Sequence, residues 1–234
     1  VVYERSRDLL VDFDEMQTLF RDDRSGLRGR LRVDMSLAVA RDVVLPRLPE
    51  FMQAHPDLEI ELSSTDRRVD LIREGFDLAI RGSDRLEDSS LIARRLAVMP
   101  HVLCATPAYF AAHGKPKTPS DLKAHNLIRF SLSGHADVWE FEQGGRMERV
   151  AVNARYSVSS SLAVRDALRA GFGVSLIPLP YVEEDLRMGR LQAALEDWST
   201  VKTALYAIYP SRQHMTPKLR ALLDFLVAQF DSGN

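Results

Sequence analysis

The stretch that decides the fold is residues 29–62, "GRLRVDMSLAVARDVVLPRLPEFMQAHPDLEIEL". Leu31 to Ser36 alternate apolar and polar residues, the period of two expected of a strand with one buried face. Residues 43–56, "VVLPRLPEFMQAHP", have helical spacing, with prolines marking a first turn or a kink. "LEIELSS" (58–64) alternates again. Next, "DRRVDLIREG" (66–75) reads as a short helix with Asp66 as N-cap and Gly75 as stop. "FDLAIRG" (76–82) is a third strand. Strand, helix, strand, helix, strand predicts a parallel sheet with helical crossovers.

A second unit follows. "LAVMPHVLCAT" (96–106) is β-like, with a break at Pro100. "PAYFAAHG" and "TPSDLKAH" are short helices. "NLIRFS", "VWEFEQ" and "RVAVNARYSV" are strands, with Gly144-Gly145 as a hairpin turn. "SSSLAVRDALRAG" (159–171) is a helix capped by Ser159 or Ser160 and ended by Gly171. In "RAGFGVSLIPLP", Gly173 starts a buried strand, and Pro178 and Pro180 end it and open the next helix, "PYVEEDLRMG". "VKTALYAIYP" is a strand. "TPKLRALLDFLVAQF" is an amphipathic helix with Thr216 at its cap.

At the other end, Leu9, Phe13, Met16 and Phe20 form one face of a helix before Ser25-Gly26. Such a lone stripe packs either on its own domain or on a second copy.

Composition bounds the function. The chain has 234 residues, enough for one large domain or two lobes. No stretch is apolar for long enough to span a membrane as a helix. The net charge of −2 argues against direct DNA contact, which favours a basic stripe. Arg28, Arg30 and Arg32 read as a solvated face. Cys104 is the only cysteine, so neither an internal disulfide nor a cysteine-based zinc site is available. Its setting in "HVLCATP" is that of a small buried hydrophobe.

Catalytic patterns are missing. There is no Walker loop, no dinucleotide glycine fingerprint at the first helix and no nucleophile elbow. The histidines, His55, His101, His113, His125, His135 and His214, show no metal spacing. The balance favours a binding protein, without metal or cofactor. In an open α/β sheet, ligands sit beyond the carboxyl ends of the strands. Here those ends carry Ser36; Ser64, Thr65 and Asp66; and Arg81-Gly82. Hydroxyls, an arginine and helix N-termini converging on one cleft suit a small carboxylate or another polar anion. Each hydroxyl could instead be a plain helix cap, and Arg81 could pair with Asp84.

Several segments in order carry a closer likeness: residues 29–62; "DLIREGFDLAIRGSDRLEDSSLIARRLA"; "HVLCATPAYFAAHGKPKTPSDLKAHNLI"; and "ALRAGFGVSLIP". Together they make the chain resemble the effector-binding part of LysR-type transcriptional regulators, from Val1 to about Phe230. The resemblance implies a two-lobed α/β fold of the type 2 periplasmic-binding-protein kind, with two crossover strands and an amphipathic linker helix in front. It divides the chain into a linker, 1–26; lobe I, 27–99 plus 204–234; and lobe II, 100–203. The crossings fall near Met99-Pro100 and Lys202-Thr203.

The same resemblance implies a small-molecule effector, polar or anionic, held between the lobes by Ser36, Thr65, Asp66, Arg81 and Gly82 from lobe I and by Phe130, Ser131, Ser159 and Ser160 from lobe II. It implies a cytoplasmic homo-oligomer, dimer or tetramer, paired through the linker helix, with no enzymatic activity and no membrane partner. Promoter DNA would be met only through a helix-turn-helix upstream of Val1, so that the chain is a sensor without its reader. Arg81→Ala is expected to weaken effector binding and leave the fold intact. The alternative is a transporter's periplasmic solute-binding protein, which would carry a secretion leader upstream.

Overall fold

The computed structural model describes residues 26–67, 69–83, 91–210 and 215–231. The expected linker helix of residues 1–26 lies outside them but for Gly26, as do Asp84 and His214. Twelve strands and seven helices, with two short 3-10 turns, make up the described chain.

The first unit is β1 (Gly29–Met35), α1 (Leu37–Val39, running on as a π-helical stretch over Ala40–Val44), α2 (Leu48–Ala54), β2 (Leu58–Ser64), α3 (Leu71–Glu74) and β3 (Leu78–Ser83). β1 pairs in parallel with β2 and with β3, as the alternation predicts. Leu31, Val33 and Met35 are buried, and so are Val39, Val43 and Val44 above them.

Two local expectations need correction. The helix expected over 43–56 is really two. Ser36 caps an earlier one, its Oγ accepting from Val39 N at 3.2 Å, and the π-helical turn closes with Leu45 N donating to Ala40 O at 2.7 Å. Pro46 then interrupts the ladder and Pro49 opens α2 in its first turn. The second correction concerns Asp66. It does not cap the next helix; Asp70 does, accepting from Arg73 N at 3.1 Å. Gly75 ends α3 in the left-handed conformation, φ 68°, as read from the sequence.

β4 (Leu91–Ala105) is a single strand of 15 residues. Pro100 does not interrupt it. Instead, its partner changes there: up to Pro100 it pairs antiparallel with β12 (Lys202–Pro210), and from His101 onward with β9 (Ser175–Pro178) and β10 (Gln192–Ala194). β12 also pairs with β3, so one seven-stranded sheet, in the order β10-β4-β12-β3-β1-β2 with β9 on β4, runs through the molecule.

The second unit adds α4 (Pro107–His113), a 3-10 turn at Pro119–Ala124, β5 (Ile128–Phe130), β6 (Val138–Gln143), β7 (Arg146–Ala151), β8 (Tyr156–Val158), α5 (Ser161–Arg169), a 3-10 turn at Leu179–Tyr181 and α6 (Glu183–Arg187). Gly144 and Gly145, both at positive φ, make the β6–β7 hairpin. The expected single strand 149–158 is two strands: β7 pairs with β6, and β8 runs parallel to β5. β11 (Ser199–Thr200) adds to β6, and α7 (Pro217–Asp231) closes the chain over the first unit.

One apolar cluster holds Val33, Val39 and Val43 of the first unit together with Val164, Leu168, Ile177 and Tyr181 of the second. A separate one, around Trp139, Phe141, Tyr109 and Phe110, belongs to the second unit alone. Cys104 is a free, buried thiol, and burial pushes it up to about 12. It is a core residue, not a nucleophile.

Candidate functional site

The carboxyl ends of β1 and β2 lie side by side, since Met35 pairs with Ser64 and Thr65 N donates to Met35 O at 3.1 Å. This brings Ser36, Thr65 and Asp66 to one edge, as the sequence argued. Arg81, at the end of β3, reaches under the same edge. Its Nη2 pairs with Asp34 Oδ1 and donates to Arg67 O at 3.2 Å. Asp34 is fully buried, and its other oxygen, Oδ2, has no hydrogen-bond partner. Burial pulls the Arg81 guanidinium down to about 10, which leaves it charged at neutral pH.

Against this edge stands the N-terminus of α5. Ser160 occupies the N-cap position but makes no capping bond to its own helix, against the expectation that Ser159 or Ser160 caps it. The capping oxygens come from the first unit, after β2. Ser161 N donates to Asp66 Oδ2 at 3.3 Å, and Ser161 Oγ to Asp66 Oδ1 at 3.4 Å. A carboxylate at a helix N-terminus satisfies free N–H groups and meets the positive end of the helix dipole. Even so, burial outweighs these bonds and holds the Asp66 carboxyl above its ordinary range.

Two further contacts bridge the first and second units. Tyr181 is buried after β9, and burial pushes its phenol well up, with the nearby Ser36 hydroxyl pulling the other way. Arg165, one turn into α5, donates to both oxygens of Asp42 at 3.1 and 3.4 Å. Asp42 comes from the π-helical stretch. Its carboxyl is raised by burial, partly offset by Arg165.

The remaining expected residues stand beside this group. Ser131 N donates to Val158 O at 2.9 Å, so Phe130-Ser131 and Ser159 end the β5–β8 pair together. Ser131 and Ser159 are exposed and Phe130 is half-buried. Gly82 faces the crossing strands rather than the α5 end: a Cβ there would lie 3.0 Å from Thr203 Cγ2.

Sequence reading missed Asp34, Asp42, Ser161, Arg165 and Tyr181. Only Arg165 left a signal. Ser161, Val164, Arg165 and Leu168 are all buried on α5, at i, i+3, i+4 and i+7, so an arginine sits within the apolar stripe. A buried arginine on such a stripe demands a partner from elsewhere. Among the described residues no group of three or more His, Cys, Asp or Glu side chains could hold a metal ion. The site offers hydroxyls, helix N–H groups and paired charges, which can bind and orient a polar ligand.

A family profile described as the LysR substrate binding domain matches residues 24–231. The chain belongs to the LysR family. Among its relatives, the uncharacterized HTH-type transcriptional regulator YhjC of Escherichia coli K12 is 34% identical over 226 residues, covering 96% of this chain and 75% of that protein. The HTH-type transcriptional regulator DmlR of the same organism is 32% identical over 230 residues, covering 98% and 74%. Among solved structures, CrgA of Neisseria meningitidis, a LysR-type transcriptional regulator, superposes with a TM-score of 0.80 at 26% identity, over 98% of this chain and 77% of that one. Its isolated regulatory domain gives 0.79 at 27% identity, over 87% and 100%. The chain therefore carries the effector-sensing domain of a LysR-type transcriptional regulator, with the two-lobed α/β fold of that domain. The transport-receptor reading is not favoured, because the matched relatives are regulators. LysR-type regulators bind small-molecule effectors, form oligomers and bind DNA. No described helix is long and apolar enough to cross a membrane.

Proposed function

We propose that this LysR-family chain senses a small anionic metabolite between lobe I (27–99 plus 204–234) and lobe II (100–203), and that the effector shifts the arrangement of a cytoplasmic, non-enzymatic homo-oligomer on promoter DNA. The effector contacts are Ser36, Thr65, Asp66, Arg81 and Gly82 on one side and Phe130, Ser131, Ser159 and Ser160 on the other. The linker segment pairs the chains, and a helix-turn-helix joined upstream reads the DNA. One observation carries the reading: the ends of β1 and β2 meet the N-terminus of α5, with Asp66 bonded to Ser161. A carboxylate is thus the chemistry that this end of α5 accepts.

The test is calorimetry of the 234-residue chain against mono- and dicarboxylates from acetate to benzoate, with the matching alcohols as controls. Saturable binding of an acid and not of its alcohol is expected. Binding of neutral ligands alone would reject the anionic class. Arg81→Ala, the simplest variant on sequence grounds, is a poor probe, because it leaves Asp34 buried without its counter-charge. Asp34→Asn combined with Arg81→Gln removes the pair together. It should weaken acid binding about tenfold or more, the worth of a charge-assisted bond, with the circular dichroism unchanged. Unaltered affinity would remove Arg81 from the site.

A further inference from the structure

Lobe I reaches α5 twice. Asp66 takes the place of the N-cap at Ser160-Ser161. One turn on, Asp42 meets Arg165, which is 3% exposed. The first turn of α5 has no acid of its own, and its one aspartate, Asp166, faces Arg169 at 3.8 Å. Both carboxylates that balance the start of α5 therefore come from the opposite lobe, from two different elements.

We propose that Asp66 and Asp42 form a two-point lock on α5, an autoinhibitory contact that sets how much of the time the lobes stay together when no ligand is present. Asp66 also stands among the effector contacts proposed above, so that point of the lock rests on the same bond to Ser161, whereas the Asp42–Arg165 point lies outside that assignment.

Three observations make it a switch rather than a rivet. The Asp66 bonds are long, at 3.3 and 3.4 Å. Arg165 Nε is buried without a hydrogen-bond partner. Asp42 and Asp66 are both disfavoured as anions by their burial. Buried ion pairs of this kind recover little more than their desolvation. Parting the lobes would hydrate Asp42, Asp66, Arg165 and the free N–H groups of α5 together. The polar lock therefore contributes a small free energy to closure, beside the apolar cluster that Val39 and Val43 share with Val164 and Leu168, and changing it shifts the population of the two arrangements. Arg41, 3.7 Å from Asp42, and Arg169 also face the carboxylate and stay with their own lobes.

The test reads the distance between spin labels on Glu50→Cys and Lys117→Cys, one exposed site in each lobe, in the 234-residue chain diluted with unlabelled chain. Asp66→Asn and Asp42→Asn are each expected to raise the population of longer distances about fivefold or more, the scale of ordinary coupling between sites, with the double variant highest. Asp70→Asn, which loosens a cap inside lobe I, should leave the distribution unchanged. If Asp42→Asn fails to fold, Asp66→Asn and Asp66→Ala decide. A folded Asp66 pair of variants with the unsubstituted chain's distribution overturns the lock, and so does an Asp70→Asn effect as large as theirs.

Discussion

A Cβ placed on Gly173 would lie 2.1 Å from the carbonyl oxygen of Asn126. That carbonyl accepts from Val174 N at 2.8 Å, and the bridge between Leu127 and Val174 continues into β5. No side-chain rotation relieves the clash, because the obstacle is backbone. Gly171 is a different case: its φ is 73°, and a Cβ there would meet only Thr106 Oγ1, at 3.5 Å. Gly173→Ala should therefore cost roughly 3 kcal/mol or more, as forced overpacking does. Gly171→Ala should cost about 1 to 2 kcal/mol, the penalty of a left-handed residue with a Cβ. Urea midpoints of the two variants check this, and equal losses would reject the distinction. From "RAGFG" alone both glycines read as architecture. Gly171 is legible as a helix stop because the signal is local. The reason for Gly173 is not, because its neighbour Asn126 is distant in sequence.

At the scale of elements, capping was the least readable feature, and α3 shows why. Asp66 and Asp70 both precede the helical pattern with residues that suit an N-cap. Only the folded backbone decides between them: Asp70 has extended dihedrals next to Arg73 N, while Asp66 is drawn across to α5. Asp70→Ala should lower stability by about 1 kcal/mol, the usual worth of such a cap, and speed amide exchange in Leu71–Glu74. Asp66→Ala should leave exchange in α3 unchanged and speed it at the start of α5. The reverse pattern would restore the sequence reading.

The strands fared better. β1, β2, β3 and the β6–β7 hairpin follow from alternation and turn residues, because a half-buried strand writes its period into the sequence. The expected site had the same limit as the caps. Ser36, Thr65 and Asp66 were legible because carboxyl ends of strands are predictable positions, whereas Asp42 and Tyr181 sit in segments with no such marker. What no local pattern could supply is which lobe would satisfy the start of α5.

For the molecule as a whole, the two crossing strands are the shared element, and His101 is half-buried where they meet, with its Nδ1 shielded from solvent. It follows Pro100 at the point where β4 leaves β12. Its Nε2 lies 3.5 Å from Thr203 Oγ1 on the returning strand, and its ring stands edge-on to His135 with centroids 5.0 Å apart. Burial, and then the nearby His135, hold the imidazole down to about 3, with backbone groups of Met99 and Val201 pulling the other way. Below pH 6.5 the unfolded chain takes up a proton that the folded chain refuses until about pH 3. The unfolded state then binds more protons, so stability falls as pH drops through that window, by about 1.4 kcal/mol per pH unit.

Other groups act in the same range or below it. Asp42, Asp66 and Asp77 are raised by burial, so the folded chain takes up their protons first and gains stability as pH falls towards 4. Asp185 is buried and lowered; desolvation is the largest influence on it and pushes upward, but Arg169 and Arg190 together outweigh it. It contributes stability above its ordinary pKa of 3.8 that is lost only on further acidification. The histidine is isolated by difference. Between pH 7.5 and 5.5 the unsubstituted chain should lose about 1.4 kcal/mol more than His101→Gln, read from urea unfolding at the two pH values. Identical losses would mean that the crossing does not feel this proton. The larger loss would place a titratable group where the two lobes are joined, so that mild acid strains the same strands about which they would move.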